Sequence, residues 1–271
     1  MNNSVTDPVS GFVDAKTAKT YLNDGFVHIQ GLLPPGHITR YAGEITRKVM
    51  ELNTLDVPMD QRNTYQKAFI QVTNLWRHSP VVREFVFNEA LARAATALMG
   101  TRGVRLYHDQ ALYKEPSGGF TPWHADQFYW PLASDKCVTA WIPLQDTPME
   151  MGPLAFSRGS HQFTFGRDLP ISDESEQRIQ DALNAEGFPT IEKPCRLGDV
   201  SFHAGWTFHR AGPNTTPDPR KVMTIIYMDI DMKLKQPENA NQQADLDAWC
   251  PGAVPGDIID TELNPVLFEN G

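Results

Sequence analysis

Two separated segments of this sequence carry side chains able to share a metal ion. Thr121-Pro122-Trp123-His124-Ala125-Asp126 sets a histidine and a carboxylate two residues apart. In an extended chain, side chains at i and i+2 leave the same face, so His124 and Asp126 can converge on one ion. An HxD pair by itself is weak and occurs often by chance. The stretch Gly198 to His209 supports it by adding two distant histidines, His203 and His209. Two histidines and one carboxylate leave three positions of an octahedral ion open, which suits a non-haem iron(II) centre that activates O2. Eleven residues after His209 comes Arg220. Its planar guanidinium can pair two-to-two with a carboxylate, and the far carboxylate of 2-oxoglutarate fits that task.

These residues need elements to hold them. Ala15–Asn23 reads as a short helix and Gly25–Ile29 as a short strand. Pro34-Pro35-Gly36 then breaks the chain before an amphipathic helix over about His37–Leu52. In Ser79–Met99, Val82, Phe85 and Val86, then Leu91, Ala94, Ala95 and Leu98, recur at helical spacing, with Gly100 as a C-cap. From Val104 onward short runs rich in β-branched and aromatic residues follow: Val104–Tyr113, Cys137–Leu144, Val200–Phe202 and Lys221–Asp229. Helices first and short strands after them predict a mainly β protein, a jelly roll with flanking helices. The expected organisation is one domain over residues 1–271, helical over about 15–100, with the jelly-roll core over about 101–232. Residues 1–13 are polar and expected to be loosely ordered. A polar, helical insertion over residues 171–188 interrupts the strands, with a solvated charged face (Asp173, Glu174, Glu176, Gln177, Arg178) or a lid as its two readings.

Composition removes several function classes. The formal charge is −9, from 24 basic and 33 acidic residues, which argues against a nucleic-acid binder needing a basic stripe. No run approaches the length of a membrane span, and the first thirty residues hold no basic region followed by an apolar one. Cys137, Cys195 and Cys250 are too scattered for a disulfide framework or a CxxC site and read as reduced, buried thiols. The expectation is a cytoplasmic protein, monomeric or homodimeric, with a small-molecule substrate and neither nucleic acid nor membrane as partner.

From about Ala18 to Asp229 the chain resembles the phytanoyl-CoA dioxygenase-like family of iron(II)/2-oxoglutarate oxygenases. The resemblance rests on Tyr21 to Val27, Val104 to Gln110, His124-Ala125-Asp126 and Thr139 to Leu144. It continues through Gly152-Pro153-Leu154, Gly159-Ser160-His161, Gly198-Asp199, His209, Gly212-Pro213-Asn214 and Arg220. It implies a double-stranded β-helix of cupin-like kind, with His124, Asp126 and His209 as iron ligands and the catalytic centre. Arg220 then takes the co-substrate, and O2 and ascorbate as reductant complete the set. The family's spacing from ligand to arginine selects His209 over His203, leaving His203 as a bracing or packing residue. One departure stands out: many relatives carry a hydroxyl two residues after the distal histidine, where this chain has Ala211. Thr224, on the same strand face as Arg220 by parity, is the candidate replacement.

Further candidates follow from position. Thr139 and Trp141 share a strand face that the resemblance turns toward the co-substrate, against plain core packing. Gln110 and Lys114, just upstream of the HxD pair, are candidates for contacting 2-oxoglutarate. Gln127 and Tyr129 after Asp126, Asn74 before Trp76, His108 and Arg158 are candidates for the substrate side; each is also ordinary structural material. His161 is weighed the same way, and His28 and His37 read as structural. The cations Lys114, Arg158 and Arg210 hint at a small anionic or zwitterionic substrate such as an aminophosphonate. The expected reaction is hydroxylation of an unactivated C–H bond with release of succinate and CO2. The rivals are desaturation, epimerisation or cyclisation at the same site, or a metal-binding jelly roll without oxygen chemistry. Arg220 argues against the last, because such a barrel has no need of a guanidinium there.

Overall fold

The computed structural model describes residues 13–271. The expectation of loose order over residues 1–13 lies, except for Val13, outside the described residues. Helix α1 (Ala15–Asp24) starts on Asp14, whose carboxylate accepts from Thr17 N–H, and stops where Gly25 turns left-handed. Strand β1 (Phe26–Ile29) follows. Helix α2 (Pro35–Leu52) has proline in its first turn and buries Ile38, Tyr41, Ile45 and Val49, one stripe at helical spacing. Next come α3 (Thr64–Ala68), β2 (Ile70–Thr73), α4 (Pro80–Val86) and α5 (Glu89–Met99). Ser79 and Asn88 cap the last two helices, and Gly100 closes α5 in the left-handed conformation.

The remaining strands are β3 (Gly103–Lys114), β4 (Thr121–His124), β5 (Cys137–Pro143) and β6 (Leu154–Ser157). After helix α6 (Asp173–Ala185) come β7 (Thr190–Glu192), β8 (Val200–Ala204), β9 (His209–Ala211) and β10 (Arg220–Asp229). Helix α7 (Ala240–Trp249) and strand β11 (Val266–Glu269) finish the chain. All strand pairs are antiparallel. The larger sheet runs β1-β8-β5-β10-β3-β11 with β2 also on β3, and the smaller runs β4-β9-β6-β7. Two antiparallel sheets flanked by helices make the jelly roll. The larger sheet reaches beyond residues 101–232, since β1 and β2 precede them and β11 follows, all three in that sheet.

Alternation in the larger sheet decides what reaches its inside. In β5, Val138, Ala140 and Ile142 pack with α2, α4 and α5, while Thr139 and Trp141 face the cavity between the sheets. In β10 the helix side takes Met223, Ile225 and Tyr227, and the cavity takes Arg220 and Thr224. Strand β3 departs from strict alternation. Ile226 pairs with His108 but Tyr227 pairs with Leu106, so Tyr107 is an extra residue in a bulge. Tyr107 joins an aromatic cluster with Trp130, and the adjacent His108 still lines the cavity. All three cysteines are buried and unpaired. Among the described residues, no helix is long and apolar enough to cross a membrane.

Candidate active site

His124 and His209 are cross-strand neighbours, one ending β4 and the other opening β9. Their pairing is displaced by a bulge: Thr121 faces Ala211, two residues along β9, yet lies three residues from His124. The extra residue falls at Pro122-Trp123, and its freed groups are used. Proline has no N–H to offer the ladder. The Pro122 carbonyl accepts from His124 Nδ1 at 2.7 Å, and the Trp123 N–H donates to the Glu176 carboxylate on α6. His209 repeats the arrangement, with Nδ1 3.0 Å from the Thr207 carbonyl. A carbonyl can only accept, so each Nδ1 carries the proton and each Nε2 keeps a free lone pair, the tautomer a metal requires.

Ala125 stays extended and Asp126 begins a short turn, which brings the side chains of His124 and Asp126 to one side. Asp126 Oδ1 lies 3.5 Å from His124 Nε2 and 3.6 Å from His209 Nε2. The three ligand atoms fall within 4.8 Å of one another. Asp126 Oδ2 is engaged separately: Thr139 Oγ1 donates to it at 3.1 Å and His203 Nε2 at 3.2 Å. Burial works to raise the Asp126 carboxyl, but the hydrogen bond from His203 acts to hold it below the usual carboxylate range. Burial and the neighbouring His124 hold His209 neutral, far below its ordinary value. Two neutral imidazoles and one carboxylate with converging lone pairs fit a divalent ion.

The triad opens into a cavity of about 630 Å³ between the sheets. Arg220 lines it, 1% exposed, with burial lowering its guanidinium to about 10. Its Nη1 donates to the Gly152 carbonyl, and its Nε has no partner. Trp141 lies alongside, 5.6 Å from ring centroid to guanidinium carbon, its own Nε1 also unpartnered. Among the described residues no carboxylate pairs with Arg220. A buried, protonated arginine with an unused N–H fits an anionic ligand's carboxylate.

Of the other expected site residues, Thr139, Trp141, Gln110, His108 and Tyr129 line the cavity, as do Thr224 and Ala211. Four do not. Lys114 is fully buried, its ammonium donating to the Gly119 carbonyl, with desolvation lowering it to about 6. Gln127 turns away: its Nε2 donates to the Ser134 carbonyl at 2.8 Å and its Oε1 accepts from Cys137 Sγ. Asn74 is spent on a left-handed turn with φ 49°, its backbone N–H bonded to the Asp109 carbonyl. Arg158 is exposed on the outside, its N–H on the Pro189 carbonyl. Arg210 also misses the cavity, since it pairs with Glu176 at 2.8 Å. The cations that suggested an anionic substrate therefore do not reach the site. His161 is away from it too, bonded to the Leu22 carbonyl.

Residues 171–188 do contain a helix, but α6 is fastened rather than free. Glu176 and Gln180 bond Trp123, and Asp173 accepts from Thr64 Oγ1 at 2.8 Å. Glu176 thus leaves the expected solvated face. Only the preceding loop, through Pro170 and Ile171, lines the cavity, held by Ile171 N–H donating to Tyr129 Oη.

Sequence reasoning missed two groups of lining residues. Tyr65 comes from α3, Phe69 from the residue that caps it, Gln71 and Thr73 from β2, and Asn241, Asp245 and Trp249 from α7. The second group had a visible signal, a spacing of four along one helix face. Its surroundings, Ala240–Trp249, carry no apolar stripe to announce a helix.

The phytanoyl-CoA dioxygenase (PhyH) family model matches residues 21–222. The chain is 24% identical over 232 residues to a protein of Stutzerimonas stutzeri named probable alpha-ketoglutarate-dependent hypophosphite dioxygenase, covering 80% of this chain and 79% of that one. It is 27% identical over 242 residues to the 1-deoxypentalenic acid 11-beta-hydroxylase of Streptomyces exfoliatus, covering 79% and 83%. The structure of the epimerase SnoN, in complex with Fe3+, alpha ketoglutarate and nogalamycin RO, superposes with a TM-score of 0.77 at 26% identity, over 93% of this chain and 98% of that one. The chain belongs to the phytanoyl-CoA dioxygenase family.

Proposed function

We propose that this protein is an iron(II)- and 2-oxoglutarate-dependent oxygenase that hydroxylates an unactivated C–H bond of a small molecule. The observation that carries the reading is the shared cavity of two features. One is a His124–Asp126–His209 set with its lone pairs free, and the other is Arg220, buried without a carboxylate partner among the described residues. Bound iron and 2-oxoglutarate would supply the oxidising power, one atom of O2 entering the substrate and the other the succinate released with CO2. The chain's own residues do the rest. The Pro122 and Thr207 carbonyls fix both imidazoles by their Nδ1 protons. Thr139 and His203 hold Asp126 Oδ2 so that Oδ1 faces the ion. Arg220 and Trp141 set the co-substrate by its far carboxylate, and Thr224 offers a hydroxyl on the same face, where Ala211 has none. An intact Asp126 also occupies the ligand position that a halide would need, which favours hydroxylation over halogenation.

A second reading, epimerisation or another rearrangement at the same centre, is favoured by the likeness to SnoN, which bears the name epimerase. The two readings share every residue above and differ in substrate placement.

The test is an anaerobic titration of iron(II)-loaded protein with 2-oxoglutarate, following the visible charge-transfer band of the chelate. The band should appear in the wild-type protein, vanish in Asp126→Ala and need far more 2-oxoglutarate in Arg220→Leu. Bound iron with no band at saturating 2-oxoglutarate would overturn the proposal.

A further inference from the structure

We propose that the substrate is an organic amine, its ammonium group held by the Asp245 carboxylate among the aromatic walls contributed by Trp249, Tyr129 and Tyr65. This rests on the oxygenase reading and adds the substrate class to it.

Once Asp126 is assigned to the metal and Arg220 to the co-substrate, Asp245 is the remaining carboxylate of the lining, and no further lysine or arginine lines it among the described residues. His108 does not supply a positive charge either, because burial lowers its imidazole to about 4. An anionic substrate would meet the Asp245 carboxylate with no lysine or arginine left to pair it. A cation would meet one carboxylate and several π faces, each attractive to it.

The construction of this wall is specific. Asn241, Asp245 and Trp249 stand at i, i+4 and i+8 of α7, so one face of the helix looks into the cavity. Helix α7 is anchored from behind by Gln242, whose Nε2 donates to the Phe128 carbonyl at 3.2 Å, and by Cys250, buried in the cluster with Trp130 and Tyr107. The β3 bulge supplies the matching side. It lets two successive residues act together: Tyr107 Oη donates to Asp245 Oδ2 at 3.3 Å, and the His108 ring stacks on Trp249 with centroids 4.8 Å apart. Asp245 is thereby oriented by side-chain hydrogen bonds from Tyr107 and Trp249, and its two oxygens keep acceptor capacity for a further donor. Burial raises its carboxyl to about 7, the behaviour of an acid still lacking its counter-charge. Helix α7 lies outside residues 21–222, the part matched by the family model.

The experiment uses full-length protein loaded with zinc(II) in place of iron, plus 2-oxoglutarate, so that binding is read without turnover. Matched probes are compared by ligand-observed NMR: benzylamine, benzyl alcohol and benzoate, then cyclohexylamine, cyclohexanol and cyclohexanecarboxylate. The amines should bind about tenfold or more tighter than their neutral and anionic partners. Asp245→Asn should erase that preference while 2-oxoglutarate binds as before. Carboxylates binding as well as amines, no amine binding at millimolar concentration, or a preference surviving Asp245→Asn would overturn the proposal. The wild-type comparison decides alone should the variant not fold. Failure of 2-oxoglutarate to bind, with the amine preference intact, would count against the oxygenase reading and leave the amine site standing.

Discussion

Thr139 Oγ1 donates to Asp126 Oδ2 at 3.1 Å, from the middle of β5 to the turn that follows β4. This bond and the parallel one from His203 divide the carboxylate, one oxygen for the protein and one for the ion. The division fixes the carboxylate's rotation, which neither the HxD spacing nor the strand could do.

Thr139→Val should therefore weaken iron(II) binding by about tenfold, the lower end for loss of an outer partner of a ligand. The shape of the side chain is kept, so the fold should persist. Thr139→Ser should restore most of the affinity. A competition titration with a chromogenic chelator reads both, and an unchanged iron affinity in Thr139→Val would refute the role.

Arg220→Leu should separate binding from stability. The guanidinium is buried with its Nε unpartnered, so in the absence of ligand it carries a desolvation cost that no carboxylate offsets. Losing it should weaken 2-oxoglutarate binding by about a hundredfold, as removal of one partner from a desolvated charge pair does. The melting temperature of the ligand-free protein should hold or rise. A large fall in melting temperature with unchanged co-substrate affinity would make Arg220 a structural residue.

Asp109 gives the protein a pH-dependent weakness away from the metal. It is fully buried on the helix side of β3, accepts from Leu75 N–H at 3.0 Å and leaves Oδ1 without a partner. Burial raises its carboxyl to about 7. A carboxyl raised in the fold binds its proton more tightly folded than unfolded. Its contribution is therefore complete below about pH 4 and lost as pH rises through 7, at most about 4 kcal/mol. Asp245 contributes in the same sense, so the informative comparison is with Asp109→Asn. Urea midpoints of the wild-type protein should fall more steeply between pH 5 and pH 8 than those of the variant, two values that bracket about 7. Equal slopes would assign the pH dependence elsewhere.

What the sequence revealed and what it hid divide along physical lines. His124, Asp126, His209 and Arg220 were legible because a metal and a carboxylate demand particular side chains at particular spacings. The faces of β5 and β10 were legible because strand parity is a local property. The failures at Lys114 and Gln127 came from competition: nearby backbone carbonyls captured each polar side chain, and no sequence pattern announces such a capture. Asn74 instead serves a left-handed turn, its backbone N–H on the Asp109 carbonyl. The bulges at Tyr107 and Trp123 were equally silent, since one extra residue in a ladder depends on the partner strand. Helix α7 was hidden because its role depends on where the chain returns after the last strand of the barrel.

Gly25 is the remaining point at which the fold reaches the metal site, and it admits a controlled test. It ends α1 with φ +81°, and its carbonyl accepts from Thr207 Oγ1 at 2.7 Å; Thr207 in turn orients His209 through its own carbonyl. A Cβ at Gly25 would lie 2.6 Å from Thr207 Oγ1 and 2.5 Å from His161 Nδ1. Gly100 ends α5 in the same left-handed region, φ +62°, but a Cβ there meets nothing within 4 Å. Gly100→Ala should therefore cost only the backbone term, about 1–2 kcal/mol, and leave iron binding alone. Gly25→Ala carries the same term plus the displacement of Thr207, so its loss of stability should be larger, and its iron(II) affinity should fall about tenfold as His209 loses its fixed orientation. Equal effects of the two substitutions on iron affinity would break the proposed chain from Gly25 through Thr207 to His209.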